Sequence, residues 1–143
     1  MKLKPIYIDE LERLIRISYE NDHDLFDKYH VKKFGLEQSI SCTMEMIREM
    51  GELKDMRHYT VRYRGMDIGY VSTFENYLYS YAIAIPFRKK GILIKWWSCV
   101  EQLMGTPFIT GLYNNNTRAI DFLIKNGMQI VSKTEDKITF LKQ

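Results

Sequence analysis

Apolar residues recur along this chain at two spacings, and the change from one to the other divides it. Leu11, Leu14, Ile15 and Ser18 or Tyr19 fall three and four apart, which predicts a helix with one buried stripe. Asp9 precedes the stripe and Glu12 follows three residues on, the spacing of a capping box. Leu36, Ile40, Met44, Ile47 and Met50 repeat the interval with Gly51 as the expected stop, so a second helix is predicted over 36–50. Residues 21–34 between the two mix polar and aromatic side chains and predict a loop or a short helix. Lys2–Ile8, ahead of both, alternates weakly and predicts an edge strand.

From Arg57 the period drops to two: Tyr59, Val61 and Tyr63 alternate with His58, Thr60, Arg62 and Arg64. Arg64-Gly65-Met66-Asp67 is a turn and Ile68–Phe74 the returning strand of a hairpin. Glu75-Asn76 turns again into a strand over 77–85, on which Tyr79, Tyr81, Ile83 and Ile85 share one face and Ser80, Ala82 and Ala84 the other. After Gly91 the period lengthens to helical, with Ile92, Trp96, Cys99, Val100 and Leu103 inward and Lys95, Ser98 and Gln102 outward; the adjacent Trp96 and Trp97 are read as core and flank. Pro107–Leu112 is a short apolar strand. Asn116 is a good N-cap for a helix over 117–126 that turns Ala119, Ile120, Leu123 and Ile124 inward. Met128–Ser132 and Lys137–Leu141, joined by the polar turn 133–136, are the last strands. No internal repeat interrupts the series.

Composition narrows the class. The 143 residues, 45% hydrophobic and 27% charged, fit one globular domain over 1–143 with a core that needs no metal or disulfide. No apolar run reaches the roughly 18 residues that span a bilayer, and Met-Lys-Leu-Lys-Pro lacks a signal-peptide core, so a cytoplasmic protein without membrane contact is expected. Cys42 and Cys99 form no CxxC pair and are read as reduced thiols in helices. His23, His30 and His58 have no metal-ligand spacing, and no metal is expected. A net charge of +3 is too small to argue for nucleic acid, yet it suits a small polyanion.

One stretch concentrates chemistry. Residues 79–104 read as a strand, a basic turn holding Arg88, Lys89, Lys90 and Gly91, and a helix opening on that turn. The first helical N–H groups lack intrahelical partners and carry partial positive charge, a natural seat for phosphate. A solvated basic connection is the plain alternative for these residues alone.

Two motifs, taken together, resemble the GNAT superfamily of acyl-CoA-dependent N-acetyltransferases over nearly the whole length. Arg88-Lys89-Lys90-Gly91-Ile92-Leu93 matches the family's pyrophosphate loop, Gln/Arg-x-x-Gly-x-Gly/Ala. Asn116, Ala119, Phe122, Lys125, Gly127 and Met128 match its Asn-x-x-Ala-x-x-Phe/Leu-Tyr-x-Lys-x-Gly-Phe. The resemblance implies an α/β (or α+β) fold: a mixed, mostly antiparallel sheet of six or seven strands with about four helices and a V-shaped splay between the fourth and fifth strands. It also implies acetyl-CoA as cosubstrate, held by Ile83, Ala84, Ile85, Arg88, Lys89, Lys90, Gly91, Ile92, Leu93 and Asn116, with pantetheine paired to the fourth strand and pyrophosphate on the next helix.

Two positions depart from the family. Leu93 stands where the loop usually has Gly or Ala, and is expected to crowd the pyrophosphate. Leu123 stands where many members have a tyrosine that protonates departing CoA, and a positioned acid is typically worth ~10²–10⁴ in rate. For a general base the candidates are Glu75, Tyr79, Tyr81 and Tyr113; packing or a turn accounts for each as well. The leading reading is an N-acetyltransferase acting on a primary amine of a small molecule or protein, which docks against the N-terminal helical loops and the 74–76 turn. The alternative is an inactive GNAT-fold module with a binding or structural role, of phage origin by its composition, and a homodimer or assembly partner stays open. Nucleic-acid binding through 88–95 is a third and weaker reading, since the cofactor's phosphates account for those charges.

Overall fold

The computed structural model describes residues 1–22 and 30–143, with the side chains of 30–34 outside the description. The reading of 21–34 as a loop or short helix therefore falls largely outside the described residues. Seven strands, β1 (Lys2–Ile6), β2 (Arg57–Tyr63), β3 (Met66–Phe74), β4 (Tyr77–Ile83), β5 (Phe108–Tyr113), β6 (Gln129–Lys133) and β7 (Lys137–Lys142), form one sheet. The α-helices among the described residues are α1 (Leu11–Tyr19), α2 (His30–Leu53), α3 (Lys90–Met104) and α4 (Thr117–Lys125). Spatial order is β1-β2-β3-β4-β5-β7-β6. Every neighbouring pair is antiparallel except β4 and β5, which run parallel. The mixed, mostly antiparallel sheet expected from the resemblance is thus present.

The sheet separates two apolar clusters. On one face Leu11, Leu14, Ile15, Ile40, Met44 and Ile47, from α1 and α2, cover Tyr70 of β3. On the other, Trp96, Trp97 and Val100 of α3 and Leu123 of α4 pack on Leu78, Ile83, Phe108 and Phe140. Each such side chain, fully buried, contributes roughly 1.5–3 kcal/mol, so the inward stripes read from periodicity anchor the helices. No helix among the described residues is long and apolar enough to cross a membrane.

Four details differ from the sequence reading. The first helical turn starts earlier: Ile8–Glu10 form a 3₁₀ turn, and Tyr7 N–H, not Asp9, donates to the carboxylate three residues on, Glu10, at 3.3 Å. Gly51 does not stop α2, because its backbone stays helical through Leu53; the glycine with φ 81° is Gly35, where the helix kinks. β4 ends at Ile83 instead of 85, because Ile85–Phe87 turn in a 3₁₀ helix around Pro86, which has no N–H for a ladder. Strict alternation along β4 also fails. Ser72 faces Ser80 while Thr73 faces Leu78, so Tyr79 is an extra, bulged residue. Tyr79 and Ala82 pack with the α1/α2 cluster, whereas Leu78, Tyr81 and Ile83 belong to the α3/α4 side.

Candidate functional site

Where β4 meets β5 the sheet comes apart. Their ladder comprises only Tyr77 opposite Ile109 and Leu78 opposite Thr110, pinned by the Thr110 hydroxyl, which donates to Leu78 O at 2.8 Å. Beyond that point β4 continues with β3 as far as Ile83, and β5 continues with β7 as far as Tyr113. A wedge-shaped gap opens between them, bordered by Tyr79–Ile83 and Gly111–Tyr113. Ala84 N–H donates to Ile68 O at 2.8 Å and Ala82 lies opposite Tyr70, so these residues bond toward β3. By antiparallel alternation Tyr81 and Ile83 turn their peptide groups toward the gap. Of the three backbone candidates at the end of β4, only Ile83 directs its N–H there. Ala84 has spent its own, and Ile85 lies in the turn beyond, its carbonyl taken by Arg88 N–H at 3.0 Å.

The gap leads to the start of α3. The first bond of this helix runs from Leu93 N–H to Lys89 O at 2.9 Å, leaving the N–H groups of Lys90, Gly91 and Ile92 ahead of the intrahelical ladder. Lys89, the N-cap, makes no side-chain cap, and the first turn holds no acidic residue. Helix dipoles favour anions at this end by about 0.3–1 kcal/mol each, yet Lys89 and Lys90 put exposed cations there. Fold stability alone would select the opposite charge. A Cβ built on Gly91 meets nothing within 4 Å, so neither packing nor backbone strain demands glycine, and the space over the helix start is open. Leu93 is half-buried and packs against the α3/α4 core, which directs its bulk inward.

Arg88 is engaged elsewhere. Its Nε donates to Ile83 O at 2.6 Å and Nη2 to Ser18 O at 3.3 Å. Its Nη1 lies 2.7 Å from the Asp22 carboxylate, whose side chain is 8% exposed. This guanidinium ties the end of β4 to the end of α1 and shapes the turn. Asn116 caps α4, its Oδ1 accepting Ala119 N–H at 3.4 Å.

No family model and no curated protein matches the chain. Solved structures do. A PaiA N-acetyltransferase from Thermoplasma acidophilum, in complex with coenzyme A, aligns over 100% of this chain and 99% of its own, with 16% identity and a TM-score of 0.66. Apo FdhC, a nucleotide-linked sugar GNAT, aligns over 98% and 84% with 15% identity and a TM-score of 0.66. The microcin C7 self-immunity acetyltransferase MccE, in complex with acetyl-CoA and AMP, aligns over 98% and 90% with 19% identity and a TM-score of 0.63. This chain has the GNAT fold.

Leu123, which the motif resemblance aligns with the family's tyrosine, is 2% exposed within the core. The base candidates are scattered. Glu75 sits in the β3–β4 turn at φ 51°, its exposed carboxylate 3.3 Å from Lys54 Nζ, beyond the closed end of the gap. Tyr113 ends β5 with Lys137 Nζ 5.2 Å from its ring centroid. Tyr79 packs on Phe74 and Tyr77 at ring distances of 5.7 and 6.0 Å, and burial, then Tyr77, Tyr113 and Glu49, raise its pKa. Tyr81 packs on Trp96 and has its hydroxyl fully enclosed; desolvation, countered in part by Thr110, pushes it to about 12. Tyrosines held neutral in this way are poor bases at pH 7. Sequence reasoning placed Ser80 only on a face of small residues and gave neither it nor Tyr70 a chemical role. Ser80 Oγ and Tyr70 Oη are 2.9 Å apart beside the bulge, a pairing that no spacing announces.

Proposed function

We propose that this chain is an N-acetyltransferase that holds acetyl-CoA in the β4–β5 gap and passes the acetyl group to a primary amine. The observation that carries the reading is the continuity of a two-residue ladder, an open gap and an uncapped, cation-flanked helix start with free space over Gly91. Two neighbours of like fold are complexes with coenzyme A or acetyl-CoA, which supports the same ligand here.

The dimensions agree. From Ile83 back to Leu78 is five strand steps, roughly 16 Å. A pantetheine arm of about twelve bonds spans about four extended residues, roughly 13–15 Å. With its phosphates on Lys90–Ile92, the arm would run along Ile83 and Tyr81 as an added strand and bring the thioester beside Tyr79 and Ser80. The ligand supplies an activated acyl carbon. The chain supplies the N–H groups of Lys90, Gly91 and Ile92 for the phosphates, with Lys89 and Lys90 adding charge, and backbone groups of β4 for the amides. The neutral amine nitrogen bonds the carbonyl carbon, the C–S bond breaks, CoA leaves as a thiolate, and the amine's extra proton passes to water. A thiol of pKa about 8.5 leaves without a donated proton at neutral pH, so Leu123 does not block transfer. Proximity carries the acceleration.

The buried Leu123 favours a second reading, a module that binds acetyl-CoA without turnover. The two are separated by calorimetry with acetyl-CoA followed by thiol release with primary alkylamines, amino sugars and peptide α-amines as acceptors. Heat with amine-dependent thiol release is the expected result. Heat without thiol release leaves the module reading, and no heat at millimolar acetyl-CoA removes both.

A further inference from the structure

Four side chains from four elements form a hydrogen-bonded line beside the bulge. Ser80 Oγ of β4 lies 2.9 Å from Tyr70 Oη of β3. Tyr70 Oη lies 3.3 Å from Tyr19 Oη of α1, and Tyr19 Oη lies 3.2 Å from Thr43 Oγ1 of α2. The far end is fixed, because Thr43 Oγ1 is 2.9 Å from the carbonyl oxygen of Ser39. A carbonyl only accepts, and each hydroxyl has one proton. Thr43 therefore donates to Ser39 O and must accept from Tyr19. Tyr19, its proton spent, accepts from Tyr70, and Tyr70 for the same reason accepts from Ser80. The line has a single direction, from Ser80 inward. Burial, then the neighbouring Tyr19, raise Tyr70's pKa, and the bond with Ser80 opposes them.

Ser80 is thereby left with its proton committed to the interior and only lone pairs to offer. It is half-buried and lies two residues past the last β4–β5 pair, on the strand segment that borders the gap, with Tyr70 on β3. We infer that Ser80 Oγ is the acceptor that orients the substrate amine, taking one N–H so that the nitrogen lone pair points at the acyl carbon. The inference rests on the acetyl-transfer reading and deepens it, since the group recognised must carry a hydrogen to donate. The line does not carry the reaction's proton away, because it ends on a carbonyl that has no proton to release and no tendency to keep one. Ser80 positions the amine; it is not its base.

The test combines substrate kinetics with a measurement that needs no substrate. With acetyl-CoA and either n-butylamine or glycylglycine, Ser80→Ala should lower kcat/KM for the amine about 2- to 13-fold, the loss of one neutral hydrogen bond. The acetyl-CoA Kd should not change, and Ser80→Thr should restore most of the rate. Tyr70→Phe frees the Ser80 proton to turn toward the gap, so it should also slow transfer. The double variant Ser80→Ala/Tyr70→Phe should then be no slower than Ser80→Ala alone. In the free protein, NMR of the tyrosine hydroxyls should find the Tyr70 proton still bonded and slow to exchange in Ser80→Ala, because its acceptor is Tyr19. Release of that proton would mean that the line runs the other way and would overturn the inference. So would an unchanged kcat/KM in Ser80→Ala, or a parallel loss of acetyl-CoA binding. Failure of the acetyl-transfer reading is seen separately, as absence of acetyl-CoA heat in the unmutated protein.

Discussion

Gly91→Ala should move stability and ligand affinity in opposite directions. Gly91 is the second residue of α3, its φ is ordinary, and an added Cβ has nothing within 4 Å. The methyl therefore costs no packing, and it removes the entropy penalty of a helical glycine, worth about 0.5–1 kcal/mol. For a chain of this length that raises Tm by roughly 1–4 °C. The same methyl stands in the space where a phosphate would meet the N–H groups of Lys90, Gly91 and Ile92. Losing one charge-assisted bond of about 1.5–3 kcal/mol weakens acetyl-CoA by about 10- to 150-fold. Thermal unfolding and calorimetry on one preparation measure both. A variant that is more stable and binds acetyl-CoA as before would refute the seat over Gly91, and a less stable variant would refute the open space.

The remaining expectations concern the surroundings of the site. Arg88→Ala should cost about 1–3 kcal/mol in denaturant unfolding, because it leaves a buried Asp22 carboxylate without its guanidinium. Lys89→Ala and Lys90→Ala should each raise stability slightly, by up to about 1 kcal/mol, because a cation leaves the helix N-terminus, but weaken acetyl-CoA and flatten its salt dependence; unaltered acetyl-CoA binding would remove these lysines from the phosphate seat. Leu123→Ala should destabilise by about 2–5 kcal/mol, as a core leucine does, a loss too small to measure being the contrary result. His58 is buried with Nδ1 2.8 Å from Ser72 Oγ, and burial lowers its pKa. Its folded pKa lies below its unfolded value, so the unfolded chain binds more protons in between. The contribution to stability is complete above about 6.5 and is lost as pH falls below that. Tm should drop more steeply from pH 7.5 to 5.5 in the unmutated protein than in His58→Gln, and equal slopes would contradict the assignment.

Much of this architecture is legible in residue order because it is local. The helical stripes of α1 and α3 follow from which residues a regular backbone turns to one side, and they turn inward as expected; in α4 Ile120 and Leu123 do so while Ile124 is 48% exposed, and in β2 His58 and Thr60 are buried as well as Val61, because helices cover both faces of the sheet. The basic turn before α3 and the Asn116 cap are likewise short-range signals. What residue order concealed is relational. The bulge at Tyr79 exists only as an offset between two strands, and it moves Tyr79 to the α1/α2 side, away from Tyr81. Arg88 reads as a phosphate ligand because its charge is visible, whereas Ser18 O and Asp22, its partners, come from another element. The line from Ser80 to Thr43 joins four elements with no shared spacing. Gly51 misled for a simpler reason: a glycine after an apolar stripe permits a stop without compelling one, and the positive φ that would require it occurs at Gly35.

In the proposed complex acetyl-CoA lies along β4 with its phosphates on α3. An acetyl-CoA titration followed by amide resonances of the ¹⁵N-labelled chain tests it most directly. The largest shifts are expected at Tyr81, Ile83, Lys90, Gly91 and Ile92, with β1 and β2 quiet. No shifts at millimolar acetyl-CoA would contradict it. So would shifts confined to the separate groove of about 560 Å³ lined by Tyr7, Lys54, Arg57 and His58.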